Sequence, residues 1–224
     1  MHPLVRASRA SWFPYVVPFL VFASLTQAGA FWPAAAHFWY VIKTIVVGLM
    51  LVAFRRRYRE ISWGTGGADW AIGVVAGSLV LLVWVAPEGL YPFMRIGHGV
   101  GFNPYGFGLT GPELWCVIGA RLLGASLVVP VMEELFWRGF LMRVLIDSDF
   151  ERVPLGTYRL FSFALVAVAF GLEHDRWLVG IAAGLLYGGL LVWRRNLFTC
   201  MVAHAVTNLG LGIFVLRTRQ WTFW

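Results

Sequence analysis

Apolar residues run along this chain in blocks of roughly twenty, the length a helix needs to cross a bilayer, separated by short clusters rich in Arg, Gly and Pro. The pattern predicts spans over Trp12–Phe31, Ala34–Phe54, Ala68–Ala86, Glu113–Ile146, Leu160–His174, Trp177–Trp193 and Leu197–Leu216. The first block resembles a signal peptide at Ala28-Gly29-Ala30, but its length and the six blocks after it favour an uncleaved first span. Pro87–Pro112 breaks the pattern. Its glycines at 97, 99, 101, 106, 108 and 111 and its Asn103-Pro104-Tyr105 predict a loop or re-entrant element resting on protein, because lipid leaves irregular backbone groups without partners. Pro130 predicts a kink in the long fourth helix. Gly180, Gly184, Gly188 and Gly189 in the sixth predict close helix packing. The expectation is an all-α polytopic membrane bundle of about seven to eight helices, one integral membrane domain over residues 1–224.

Composition strengthens this reading. Of 224 residues, 59% are hydrophobic and 13% charged, about half the charged fraction of a soluble domain, and the mean hydropathy is +0.73. The net charge of +7 is almost all arginine placed at span ends, where membrane topology explains it without nucleic acid. Successive connections, from the N-terminal tail (Arg6, Arg9) onward, hold two, none, four, one, three, one and two Arg or Lys. Rich and poor alternate, as expected for a multi-pass inner-membrane protein with a cytoplasmic N-terminus. The C-terminal tail, with two, is the misfit. Cys116 and Cys200 lie in apolar runs without metal or disulfide spacing and read as small buried hydrophobes.

Three polar sets interrupt the apolar blocks. In the fourth, Glu133, Glu134 and Arg138 would together cost on the order of 8–10 kcal/mol at mid-bilayer if unpaired, so partners are expected. Glu134 and Arg138 are four apart and can pair on one face. Glu133 is rotated about 100° away, which leaves it as a partly desolvated carboxylate suited to general-base work. The plainer alternative is that all three only join helices, but one acid suffices for one arginine. In the second set Phe170 stands one turn before His174, with Glu173 and Asp175 adding negative charge around it. A lone histidine at a span end is more often interfacial than catalytic. In the third, His204 and Asn208 share a helical face and can bind a developing oxyanion or simply bridge helices. Helix rise puts Glu133 about 15 Å, His204 about 12 Å and His174 about 20 Å from the arginine-rich ends of their helices. His2, His37 and His98 have no spaced partners and read as interfacial or loop residues. Arg121 is a further buried charge that can snorkel outward or pair with Glu113.

Glu133-Glu134-x-x-x-Arg138, Phe170-x-x-x-His174 and His204-x-x-x-Asn208, in that order, resemble the type II CAAX prenyl proteases of the CAAX protease and bacteriocin-processing (Abi) family. The likeness covers about Pro112–Leu216, and residues 1–111 carry no family motif. Size and the glycine-rich loop also look like a bacterial subgroup linked to exosortase and PEP-CTERM sorting. The resemblance implies an intramembrane endopeptidase acting on a membrane-anchored or lipid-modified peptide. The catalytic residues would be Glu133 and His174, activating water, with His204 and Asn208 on the oxyanion. Glu134, Arg138 and Phe170 would support them. Glutamate with two histidines also suits zinc, but no His-Glu-x-x-His helix is present and Asn208 is a poor zinc ligand, so no cofactor is expected. Two other classes compete: a non-catalytic adaptor or immunity-type protein on the same fold, and a small transporter. The second would favour internal repeats, and none is evident.

Overall fold

The computed structural model describes residues 11–62, 66–92 and 101–224, and among them the chain is helical with no strand. The tail with His2, Arg6 and Arg9, and the loop positions Arg95, Gly97, His98 and Gly99, lie outside the described residues. The helices are α1 (Phe13–Phe31), α2 (Ala36–Phe54), α3 (Gly67–Val85), α4 (Gly111–Val144), α5 (Leu160–Leu172), α6 (Trp177–Arg194) and α7 (Leu197–Thr218). Six are long and apolar enough to cross a membrane. Large apolar side chains such as Leu49, Val75, Leu82 and Phe161 cover the outside, as lipid-facing positions should.

The fifth predicted span differs from expectation. α5 has 13 residues, about 20 Å of helix against a hydrocarbon core of about 30 Å. It lies antiparallel on α6 in a hairpin. Gly180 meets the Gly171 backbone, Gly184 meets Ala167 and Gly188 meets the Phe163 ring. A side chain at any of the three would collide, so the glycine stripe sets the helix separation. Gly189 faces open space and does not belong to that stripe. The short helix releases His174 into the turn between α5 and α6, where it is half-buried.

Two clusters tie the arginine-rich end. Arg143 of α4 binds Glu60 at 2.7 Å and the Val153 carbonyl at 2.8 Å, while Tyr15 of α1 donates to the same Glu60. Asp69 at the start of α3 receives Arg194, Asn196 and Thr199. At the opposite end Arg176 grips Glu88 through two nitrogens (2.9 and 2.6 Å) and donates to the Thr222 carbonyl. α7 ends at Arg219 in the left-handed conformation (φ 59°), and the chain turns back so that Phe223 and Trp224 pack into the bundle. The loop before α4 behaves as predicted where it is described: Phe102 is buried, and its N–H donates to the Trp224 carbonyl at 2.9 Å.

α4 is the element the site depends on. Its 34 residues would extend about 50 Å, and two stretches are widened to π geometry, Gly124–Val128 and Leu135–Leu141. They bracket the acidic pair. Where a kink was expected at Pro130, the helix has a wide turn directly before the proline. Val129 N–H bonds Gly124 O rather than Ala125 O, and the next donor, at Pro130, does not exist. The Ala125 carbonyl is therefore left open to another helix.

Candidate active site

Glu133 and Glu134 sit on a single α-helical turn, Val129–Glu134, between the two wide segments. Glu134 is fully enclosed. Its Oε1 accepts from Arg138 Nη1 at 3.2 Å and from His204 Nδ1 at 3.0 Å. The predicted ion pair is present, and it has a third member that helical spacing did not reveal. Arg138 also lies over the faces of Phe170 (4.3 Å) and Tyr187 (5.5 Å), which places the charge on π faces as well as on a carboxylate. Glu133 points elsewhere, as predicted. Its Oε2 stands 4.0 Å from His204 Nε2 and has no hydrogen-bond partner among the described residues.

His204 is held on three sides. With Nδ1 on Glu134, Nε2 is the nitrogen turned towards Glu133. Tyr187 stacks on the ring at 5.1 Å and 23°, and Phe170 meets it edge-on at 6.0 Å. Tyr187 in turn donates to Thr207, which donates to Gly77 O. These links join α6, α7 and α3 behind the imidazole.

His174 is anchored by the residue expected to hold it. Phe170 packs on its ring at 4.9 Å, and the Phe170 carbonyl lies 2.7 Å from Nδ1. A carbonyl can only accept, so Nδ1 carries the proton and Nε2 is left as an acceptor. Trp84 of α3 closes the other face at 5.3 Å.

Asn208 departs from the simple picture of an amide paired with His204. Its Nδ2 donates to Ala125 O at 2.8 Å, the carbonyl that the wide turn and Pro130 release. One amide hydrogen remains for another acceptor.

Glu133, His174, His204 and Asn208 all line one cavity of about 170 Å³, whose wall also includes Trp84, Tyr187, Thr207, Arg121 and Trp224. Neither Glu173 nor Asp175, the acids flanking His174, lines it. Phe170 lines it as well, while Glu134 and Arg138 stand behind it. Sequence reasoning missed Tyr187, Thr207 and Trp84. A tyrosine in a glycine-rich span and a threonine between His204 and Asn208 were the available signals. Arg121 was noticed, but Glu113 is not its partner: among the described residues no ion pair to Arg121 forms.

Comparison with known proteins agrees with this arrangement. Residues 114–210 match the Rce1-like family, described as "Type II CAAX prenyl endopeptidase Rce1-like". The CAAX-protease resemblance read from the motifs therefore stands over the segment that carries all three, and that description is of a protease. With six helices able to cross a bilayer, the chain is a multi-pass integral membrane protein. The exosortase-linked subgroup receives no support from this match. No curated protein and no solved structure matches.

Proposed function

We propose that this protein is an intramembrane endopeptidase of the CAAX type, hydrolysing a peptide bond of a membrane-anchored or lipid-modified peptide with water activated by Glu133. The observation that carries the reading is convergence: Glu133, His174, His204 and Asn208, from three separate stretches of chain, share one cavity. In this mechanism a water held between Glu133 and His174 Nε2 gives its proton to Glu133 as it attacks the carbonyl carbon. The oxyanion that forms is met by the remaining Asn208 hydrogen and by His204 Nε2, which donates when the ring is an imidazolium held at Nδ1 by Glu134, donors of the kind that stabilise such intermediates. Glu133 then returns the proton to the leaving amine. Glu134 and Arg138 keep the His204 ring in register, and Phe170 does the same for His174.

We write the reaction without a metal. Among the described residues no three His, Cys, Asp or Glu side chains are grouped to hold one, Glu134 takes one nitrogen of His204, and a neutral amide is a weak zinc donor. The arginine-rich end, with Arg55, Arg56, Arg57 and Arg194, is assigned to the cytoplasmic face by the distribution of positive charge.

The test is cleavage of a panel of membrane-anchored peptides by purified protein, wild type against Glu133→Gln, with and without chelator. Wild-type cleavage that falls about 10²–10⁴-fold in the variant and ignores chelator is the expected result. Cleavage abolished by chelator would move Glu133, His174 and His204 into a metal site. A wild type and a Glu133→Gln variant of equal effect in cells would favour the adaptor reading instead.

A further inference from the structure

We propose that Gln220–Trp224 is a lid over the catalytic cavity, and that peptide reaches Glu133 beneath it, from the end of the bundle opposite the arginine cluster. The proposal rests on the protease reading and adds the route by which that site is filled.

Size requires an opening. The cavity holds about 170 Å³, whereas pockets for drug-sized molecules hold roughly 300–1,000 Å³. A peptide of several residues needs at least as much, so the observed state is closed and part of its wall has to move. Most of that wall belongs to α3, α4, α6 and α7, long helices packed on one another. Phe223 and Trp224 are different. They line the cavity from a short 3₁₀ turn, Trp221–Phe223, that follows α7.

The hinge of this turn is strained. α7 closes at Arg219 with φ 59° and ψ 24°, a left-handed conformation that costs a residue with a side chain energy and is usually left to glycine. Beyond the hinge the backbone is tied to other elements by Arg176 Nη1, which donates to Thr222 O at 2.7 Å, and by Phe102 N–H, which donates to Trp224 O at 2.9 Å.

Arg176 is the latch. Its Nε and Nη2 hold Glu88 at 2.9 and 2.6 Å, and its guanidinium carbon lies 3.7 Å from the centre of the Phe223 ring. One side chain thus holds the lid by a hydrogen bond and by an aromatic face. It also stands two positions after His174, so the closed lid and the catalytic imidazole are fixed through the same short turn between α5 and α6.

Position gives the side of entry. At the arginine-rich end the bundle is joined by Arg143 with Glu60 and by Arg194 with Asp69, and none of these four lines the cavity. The lid lies past the other end of α7, and its latch precedes the start of α6.

Thiol accessibility tests the lid without a substrate. Val129, on the cavity wall one turn before Glu133, would be replaced by Cys in a Cys116→Ser background. Its modification by a charged, membrane-impermeant methanethiosulfonate would be timed in sealed vesicles. Arg56→Cys, made separately at an exposed position, marks the face that carries the arginine-rich end. Arg176→Gln or Phe223→Ala should speed modification of Val129→Cys about tenfold or more, a shift of about 1.4 kcal/mol between closed and open lid. The reagent should act from the face opposite to the one that labels Arg56→Cys. The two variants remove different halves of the latch, so either carries the test if circular dichroism shows the other unfolded. A rate unchanged by the variants, whether fast, slow or nil, would overturn the lid. So would modification from the Arg56 face or from both faces alike. Faster modification in a protein that cleaves no membrane-anchored peptide would keep the lid and remove the protease reading. Cleavage with no change in modification would do the reverse.

Discussion

Arg138 and Arg121 lie on the same helix, each against aromatic rings, yet they are solved differently. Arg138 lies over Phe170 and Tyr187 and has Glu134 at one turn's distance. Arg121 lies over Tyr40, Phe102 and Trp224 and has no carboxylate among the described residues. The first charge is neutralised within the fold and fixes a neighbour, His204, through the shared Glu134 oxygen. The second lines the cavity beside Tyr40, Phe102 and Trp224, with no ion pair among the described residues. Arginine is thus accommodated in two ways here, one by an ion pair and one by aromatic faces, and the presence of an i−4 glutamate separates them.

The largest way to break the comparison is Arg138→Met. It would leave Glu134 enclosed with only His204 as a partner, and stranding one partner of a buried pair costs about 3–5 kcal/mol. Thermal or denaturant unfolding in detergent should show a loss of that size, together with loss of cleavage. If Arg138→Met is as stable as wild type, Glu134 does not depend on its pair and the internal role assigned to Arg138 is wrong.

Asn208→Ala comes next. Removing one oxyanion donor is worth about 10²–10³ in rate, and loss of the Ala125 bond is worth about 1 kcal/mol in stability. Cleavage should fall by that factor while the midpoint of unfolding moves little. A large unfolding shift with an unchanged rate would make Asn208 a helix bridge and nothing more.

Arg121→Gln should have the smallest effect on stability, within about 1 kcal/mol, because it gives up cation–π contacts and breaks no ion pair. A loss approaching that of Arg138→Met would erase the difference between the two arginines. The same unfolding series on both variants decides it.

Much of this was legible without coordinates. Blocks of apolar residues gave the long helices close to their observed ends: Trp12–Phe31 was expected where Phe13–Phe31 is helical, and Leu197–Leu216 where Leu197–Thr218 is. Helical spacing alone put Glu134 with Arg138 and turned Glu133 aside, because residues four apart share a face whatever the fold. Hydropathy overstated α5, since a block of apolar residues records burial and not the point where a helix stops. It also grouped Gly189 with three packing glycines, since composition does not say which face meets a neighbour.

What the sequence determined by itself is the set of helices, the outward apolar surface and the three polar groups, all of which follow from periodicity within a single segment. Tertiary structure decided the rest. It gave Glu134 a second partner in His204, and turned Asn208 onto the carbonyl left open by a wide turn before Pro130. It also folded Phe223 and Trp224 back to the cavity wall beside Arg121. Each depends on the register between helices far apart in the chain. That register is fixed by packing and by two shifts from α to π winding, and no local pattern of apolar and polar residues encodes it.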